Sequence, residues 1–148
     1  MNTQKPSKKP SKVKLLPIPK LVAKADKVFS NYIRSRDANT LIQNEEGLSL
    51  PAGSCITCSR IIAVKQGHCG HFIQRGCKPT RFDPRNASLQ CPYDNTYRYG
   101  EQYRHGLAID RKFGAGTSTE LLELENRYKR DGHKWTRDEL NEVIERYT

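Results

Sequence analysis

Cys55-Ile56-Thr57-Cys58, His68-Cys69-Gly70-His71-Phe72, Arg81-Phe82-Asp83-Pro84-Arg85-Asn86 and Cys91-Pro92-Tyr93-Asp94-Asn95 follow one another in this order. Two thiols separated by two residues can turn back on one ion from a tight knuckle. A lone pair of this kind is shared with redox motifs, so the second half, Cys91-x-x-Asp94, is what points to a metal. It places a carboxylate where a fourth thiol is usual, and carboxylates also ligate zinc. The spacing predicts a structural Zn2+ held by Cys55, Cys58, Cys91 and Asp94. A three-cysteine site completed by Cys69 or Cys77 is the alternative, and a fold without zinc is the bland one.

Around these pairs the pattern predicts short elements. Ile61 to Val64 and His68 to Ile73, separated by Lys65-Gln66-Gly67, read as a β-hairpin. Residues 74–85 read as loop, and Asn86 to Gln90 as a short strand or the lead-in to the second knuckle. A helix is expected from Pro92 towards Lys112. His71 then sits on a strand, Asn86 in the following loop and Asn95 in a first helical turn. That order resembles a ββα-metal nuclease. There a histidine takes the proton of the attacking water, an asparagine orients the histidine, and a residue after the second knuckle binds a divalent ion. Histidine titrates in the range such a base needs, and the ion neutralises charge on the phosphate. Taken singly, each residue has an ordinary reading as a core histidine or turn asparagine.

The remaining composition fits a small domain with a polyanionic partner. The chain has 148 residues, 35% of them hydrophobic, and a formal charge of +10, with a mean hydropathy of -0.81. So few apolar residues build a modest core, which a metal staple would reinforce. Excess lysine and arginine neutralise phosphates, with a solvated basic surface as the plain alternative. No apolar run reaches membrane-spanning length and no signal-peptide pattern opens the chain, so a cytoplasmic location without membrane contact is expected.

Residues 1–20 hold six lysines and no acid and read as a disordered basic arm. Leu21, Ala25, Val28, Phe29, Tyr32 and Ile33 recur at helical spacing up to Arg36. Residues 37–54 read as a connecting loop. Thr117-x-x-Glu120 and Thr136-x-x-Glu139 are capping boxes that open two further helices, expected to form a helical hairpin over 117–148. Arg75, Lys78, Arg81 and Arg85 fall between His71 and Asn86 and are the expected DNA contacts. Tyr97, Tyr99 and Tyr103 are expected to pack, with stacking on unpaired bases as the functional alternative. His105 and His133 read as surface residues, and Trp135 as a packing staple onto the last helix.

Phe29-Ser30-x-Tyr32-Ile33-Arg34-x-Arg36-Asp37, Cys55-x-x-Cys58, Gly70-His71-Phe72, Arg75-Gly76, Arg81-Phe82-Asp83-x-x-Asn86, Gln90-Cys91, Asn95, Tyr103-Arg104-x-Gly106-Leu107 and Phe113-Gly114 together resemble the NinG (Rap) family of lambdoid phages, HNH-like recombination endonucleases. The resemblance covers roughly residues 20–125. It implies a phage-encoded nuclease in the bacterial host cytoplasm that cuts Holliday junctions and D-loops with Mg2+ or Mn2+. His71 would be the base, Asn86 its orienting partner and Asn95 a ligand of the catalytic ion. This chain departs from the pattern at Asp94, where the knuckle carries Cys, and at Gly70, where many HNH nucleases carry an acidic metal ligand. His68, then Asp83, are the replacements for that second ligand.

The expected architecture is α+β, a ββα-metal core with a zinc knuckle and flanking helices, in a nuclease domain spanning 21–116. Two rival functions stand beside the enzyme: a zinc-stapled module that binds DNA without cutting it, and an adaptor recruiting other phage recombination proteins. A homodimer would suit two-strand cleavage.

Overall fold

The computed structural model describes residues 14–148, so most of the basic arm expected over 1–20 lies outside the described residues. Helix α1 (Ile18–Arg36) begins a turn earlier than the stripe suggests, with Pro17 as its N-cap. Its buried face is Leu21, Ala25, Phe29 and Ile33. Strands β1 (Thr40–Gln43), β2 (Ser49–Ser54) and β3 (Ile61–Ala63) form an antiparallel meander. The first two occupy the stretch expected to be loop. Asn44 closes their turn, its side-chain oxygen accepting from the Glu46 and Leu48 N–H groups, with Gly47 in the left-handed region at φ 78°.

Strand β4 (His68–His71) does not pair with β3, as the hairpin expectation required. It pairs antiparallel with β5 (Ala87–Gln90), His68 opposite Gln90 and His71 opposite Ala87. A long loop containing the short helix α2 (Lys78–Arg81) joins them. The register is continued by a hydrogen bond from Phe72 N to Asn86 O at 2.8 Å. By alternation, Cys69, His71, Ala87 and Leu89 share one face, and Gly70, Ser88 and Gln90 share the other with His68.

The single helix expected from Pro92 is two. A π-helical turn, Tyr93–Tyr97, is followed by α3 (Gln102–Phe113). Between them Tyr99, Gly100 and Glu101 all take positive φ. Gly106 sits inside α3 because Phe72 packs against it; a Cβ there would lie 3.1 Å from the Phe72 ring.

α4 (Thr117–Asp131) lacks the capping box expected at Thr117, whose hydroxyl donates instead to Gly114 O. Asp110 caps the helix by accepting from Ser118 N and Oγ. The box at Thr136 is present and opens α5 (Arg137–Tyr147). α4 lies against α2 and α3 while α5 runs along α1, so the two do not pair as a helical hairpin. The core is accordingly in two parts. One joins α1 to Phe82, Ala87 and Leu140, with Trp135 packed on it as the sequence predicts. The other joins Phe72, Ile73 and Cys77 to Ile109 and Leu121. The architecture is α+β, and among the described residues no helix is long and apolar enough to cross a membrane.

The end of α1 is sewn to β5 by polar groups. Arg36 donates to Pro84 O and Ala87 O, and Asp37 accepts from Leu89 N and Lys112. Arg34 is likewise tied into the fold, donating to Val64 O.

Candidate functional site

The loops that end β2 and β5 bring Cys55, Cys58, Cys91 and Asp94 together, with one ligand atom from each lying within 4.8 Å of every other. Cys58 Sγ and Cys91 Sγ are 3.8 Å apart, and Cys55 Sγ lies 3.9 Å from Asp94 Oδ2. Two sulfurs bound tetrahedrally to one zinc at about 2.3 Å stand about 3.8 Å apart. The donor set and its spacing therefore fit a metal such as zinc. Cys69 and Cys77 belong elsewhere: both pack in the hydrophobic core clusters, which removes the three-cysteine alternative.

The knuckle is supported from outside. Thr57 Oγ1 donates to Asp94 Oδ2 at 2.7 Å and accepts from Gln90 Nε2 at 3.1 Å. Cys91 N points at Cys55 Sγ, 3.2 Å away. Burial pushes the Cys55 thiol up, but hydrogen bonds from Thr57 and the Cys91 N–H outweigh it and hold it below its usual value. Burial and the neighbouring Cys55 push Cys58 up to about 12. A thiolate at Cys55 would leave its neighbours protonated until a cation arrives, so metal binding here would release protons.

Beside the knuckle opens a cleft of about 750 Å3. Asp26 and Arg34 of α1, His68 and His71 of β4, Arg75, and Asn95 with Tyr99 line it. His71 Nε2 lies 3.0 Å from Arg81 O, and burial lowers the imidazole pKa below its usual value. His68 Nδ1 and the Asn95 amide nitrogen are 3.0 Å apart. The two residues expected to share the catalytic ion are thus neighbours. Asp83 is not in the cleft; its carboxylate accepts from the backbone and side chain of Arg85.

Asn86 is fully buried, yet it does not touch His71. Its amide accepts from Ile73 N and donates to Ile73 O and Thr80 O. It pins the loop whose next carbonyl, at Arg81, receives His71. Its hold on the histidine runs through the backbone.

Three of the four expected DNA contacts are engaged within the fold. Arg81 grips Asp26 through two hydrogen bonds, Arg85 pairs with Asp83 and Glu120, and Lys78 donates to His133 O. Arg75 is exposed and makes no ion pair among the described residues. Arg34 and Asp26 join the cleft although nothing in their helical spacing marks them for it. His105, expected at the surface, is fully buried on α3 against Phe72; burial, with His71 and Lys112 nearby, pushes its pKa down to about 4.

The family model described as the bacteriophage lambda NinG protein matches residues 1–148. The chain belongs to the NinG family. No match was found among curated proteins or among solved structures. The NinG assignment covers the knuckle, the cleft and all five helices alike.

Proposed function

We propose that this NinG-family chain is a divalent-metal-dependent endonuclease of the HNH type that hydrolyses phosphodiesters in branched DNA, such as Holliday junctions and D-loops, during phage recombination. The observation that carries the reading is one cleft lined by His71, His68 and Asn95. A neutral His71 donating from Nε2 to Arg81 O keeps its lone pair on Nδ1, which is what a base acting on water requires. The order of β4, β5 and a following helical segment supports the ββα class, and the zinc knuckle fastens that segment to the ribbon. A divalent ion, when bound, supplies charge neutralisation at the scissile phosphate. His68 and Asn95 would hold it, and an imidazole donor favours Mn2+ over Mg2+. Arg75, exposed in the cleft and without an ion pair among the described residues, would steady the phosphate.

A second reading, a DNA-binding module without cleavage, is favoured by a specific feature. The carboxylate lining the cleft, Asp26, is held by Arg81, and neither His68 nor Asn95 offers a carboxylate to a metal ion. Labelled four-way, flap and linear duplexes with Mn2+ or Mg2+ separate the two. Nicking of branched DNA in preference to linear duplex is expected; binding of all three without cleavage in either metal overturns the enzyme.

A further inference from the structure

Tyr97 meets one neighbouring ring, Tyr93, at 5.9 Å, and otherwise Tyr97, Tyr99 and Tyr103 stand largely in solvent. They are 75%, 87% and 80% exposed. Tyr99 lines the cleft and Tyr103 the adjoining groove, which shares Gln74 and Gln102 with it; exposed aromatics set so close along one segment mark an interaction site.

Their presentation is fixed. Tyr99 (φ 53°), Gly100 (φ 82°) and Glu101 (φ 48°) are successive left-handed residues, a conformation that strains the two that are not glycine. The kink is anchored at both ends of Gly100. Its N–H donates to Asp94 O at 2.8 Å, and its carbonyl accepts from Gln90 Nε2 at 2.9 Å. The backbone is therefore tied to a knuckle residue on one side and to β5 on the other. Tyr99 projects from this anchored kink into the lining of the cleft that holds His68 and Asn95. Arg75 lines the same cleft, and neither it nor the exposed Arg104 makes an ion pair among the described residues; Arg34 adds its charge to the cleft while hydrogen-bonded to Ser30 O, Asn31 and Val64 O. Cations for phosphates beside aromatic faces for bases are the two parts of a site for unpaired nucleotides. A protein partner would gain little from that cationic rim.

We propose that Tyr97, Tyr99 and Tyr103 are a stacking platform for unpaired nucleobases at a DNA branch point. This deepens the DNA reading above and rests on it. Bases within continuous duplex are stacked on one another and cannot reach the platform, so it would select branched over linear DNA without reading sequence.

The test uses full-length protein without added divalent ion. Anisotropy measures binding to a three-way junction with unpaired bases at its centre and to linear duplex. 2-Aminopurine at an unpaired position reports stacking. The Tyr97→Ala/Tyr99→Ala/Tyr103→Ala variant should lose roughly tenfold or more in affinity for the junction, lose the 2-aminopurine quench and keep duplex affinity within about twofold. The matching triple Phe variant should retain the preference. Tyr99→Ala alone, carrying the least buried of the three, gives the same contrast at smaller size if the triple variant folds poorly. Equal loss on both DNAs, or no loss on either, overturns the platform. Because cleavage is not read, a protein that binds but never cuts still decides the question. A wild type that binds neither DNA overturns the nucleic-acid reading and the platform together.

Discussion

His71 Nε2 and the carbonyl oxygen of Arg81 are 3.0 Å apart, joining the end of β4 to the loop that Asn86 pins. Burial lowers the His71 pKa and the Arg81 carbonyl raises it by less. A depressed value leaves the ring neutral, and able to take a proton, to below the ordinary histidine range. The acid limb of kcat/KM for cleavage should therefore fall below pH 6.5, the unperturbed histidine value. A pH–rate profile with its acid limb above that value would show that another group is titrating.

Gly70 lies beneath Gln90. A Cβ at position 70 would stand 2.2 Å from Gln90 Oε1 and 2.8 Å from Gln90 Cβ, and Gln90 is held by Thr57 and Gly100. The position at which many HNH nucleases carry an acidic ligand is filled in this chain by a neighbouring side chain. Gly70→Ala should destabilise the fold by about 1–3 kcal/mol, and Gln90→Ala should make the same substitution cheaper. Urea unfolding of the four proteins of this cycle measures both effects.

The knuckle should hold about one zinc per chain, read by elemental analysis. Chelation should lower the melting temperature, because binding free energy at such a site is folding free energy. Thr57→Val removes the hydroxyl that donates to Asp94 Oδ2 and lies 3.3 Å from Cys55 Sγ, while leaving all four ligands in place, and should weaken zinc by about 10–100-fold in a chelator competition. Zinc affinity unchanged by that substitution would mean the Thr57 hydroxyl does not support a bound metal.

Asp37 ties α1 to β5 and α3. Burial pushes its carboxyl up, but hydrogen bonds from Arg36, Lys112 and Leu89 N outweigh this and hold it below the usual carboxylate range. With the folded pKa below the unfolded one, its contribution is complete above the unfolded value and is lost as pH falls through the folded one. Asp37→Asn should cost about 2–4 kcal/mol at pH 7. That difference should shrink on acidification, as measured by denaturant midpoints at several pH values.

Where sequence reading succeeded, the signal was local or chemically specific. The stripe of α1, each half of the knuckle and the Thr136 box carry their signal within a few residues. β1 and β2 escaped because most of their side chains are exposed, which leaves no alternation to read. β4 was matched to the nearer strand, since a three-residue turn is a stronger local signal than a partner across a long loop. The partners that Lys78, Arg81 and Arg85 find within the fold are not legible in the sequence for a related reason. Arg81 finds Asp26 from 55 positions away, and no spacing rule couples those two. The burial of His105 is not legible because a polar residue near glycine gives no sign of it; Phe72, from another element, supplies the cover. Of the cleft, His71, His68 and Asn95 were legible from their order, while Arg34 entered only through the fold.

The central claim, that His71 is the base of a phosphodiester hydrolysis, is tested most directly by single-turnover cleavage of a labelled four-way junction. Wild type and His71→Ala would be compared in Mn2+, each with a gel-shift control. The account predicts that the wild type nicks the junction, while the variant binds equally well and cuts at least about 100-fold more slowly. Equal cutting by both proteins would remove His71 from the chemistry. Equal binding with no cutting by either would contradict the nuclease and leave a DNA-binding module.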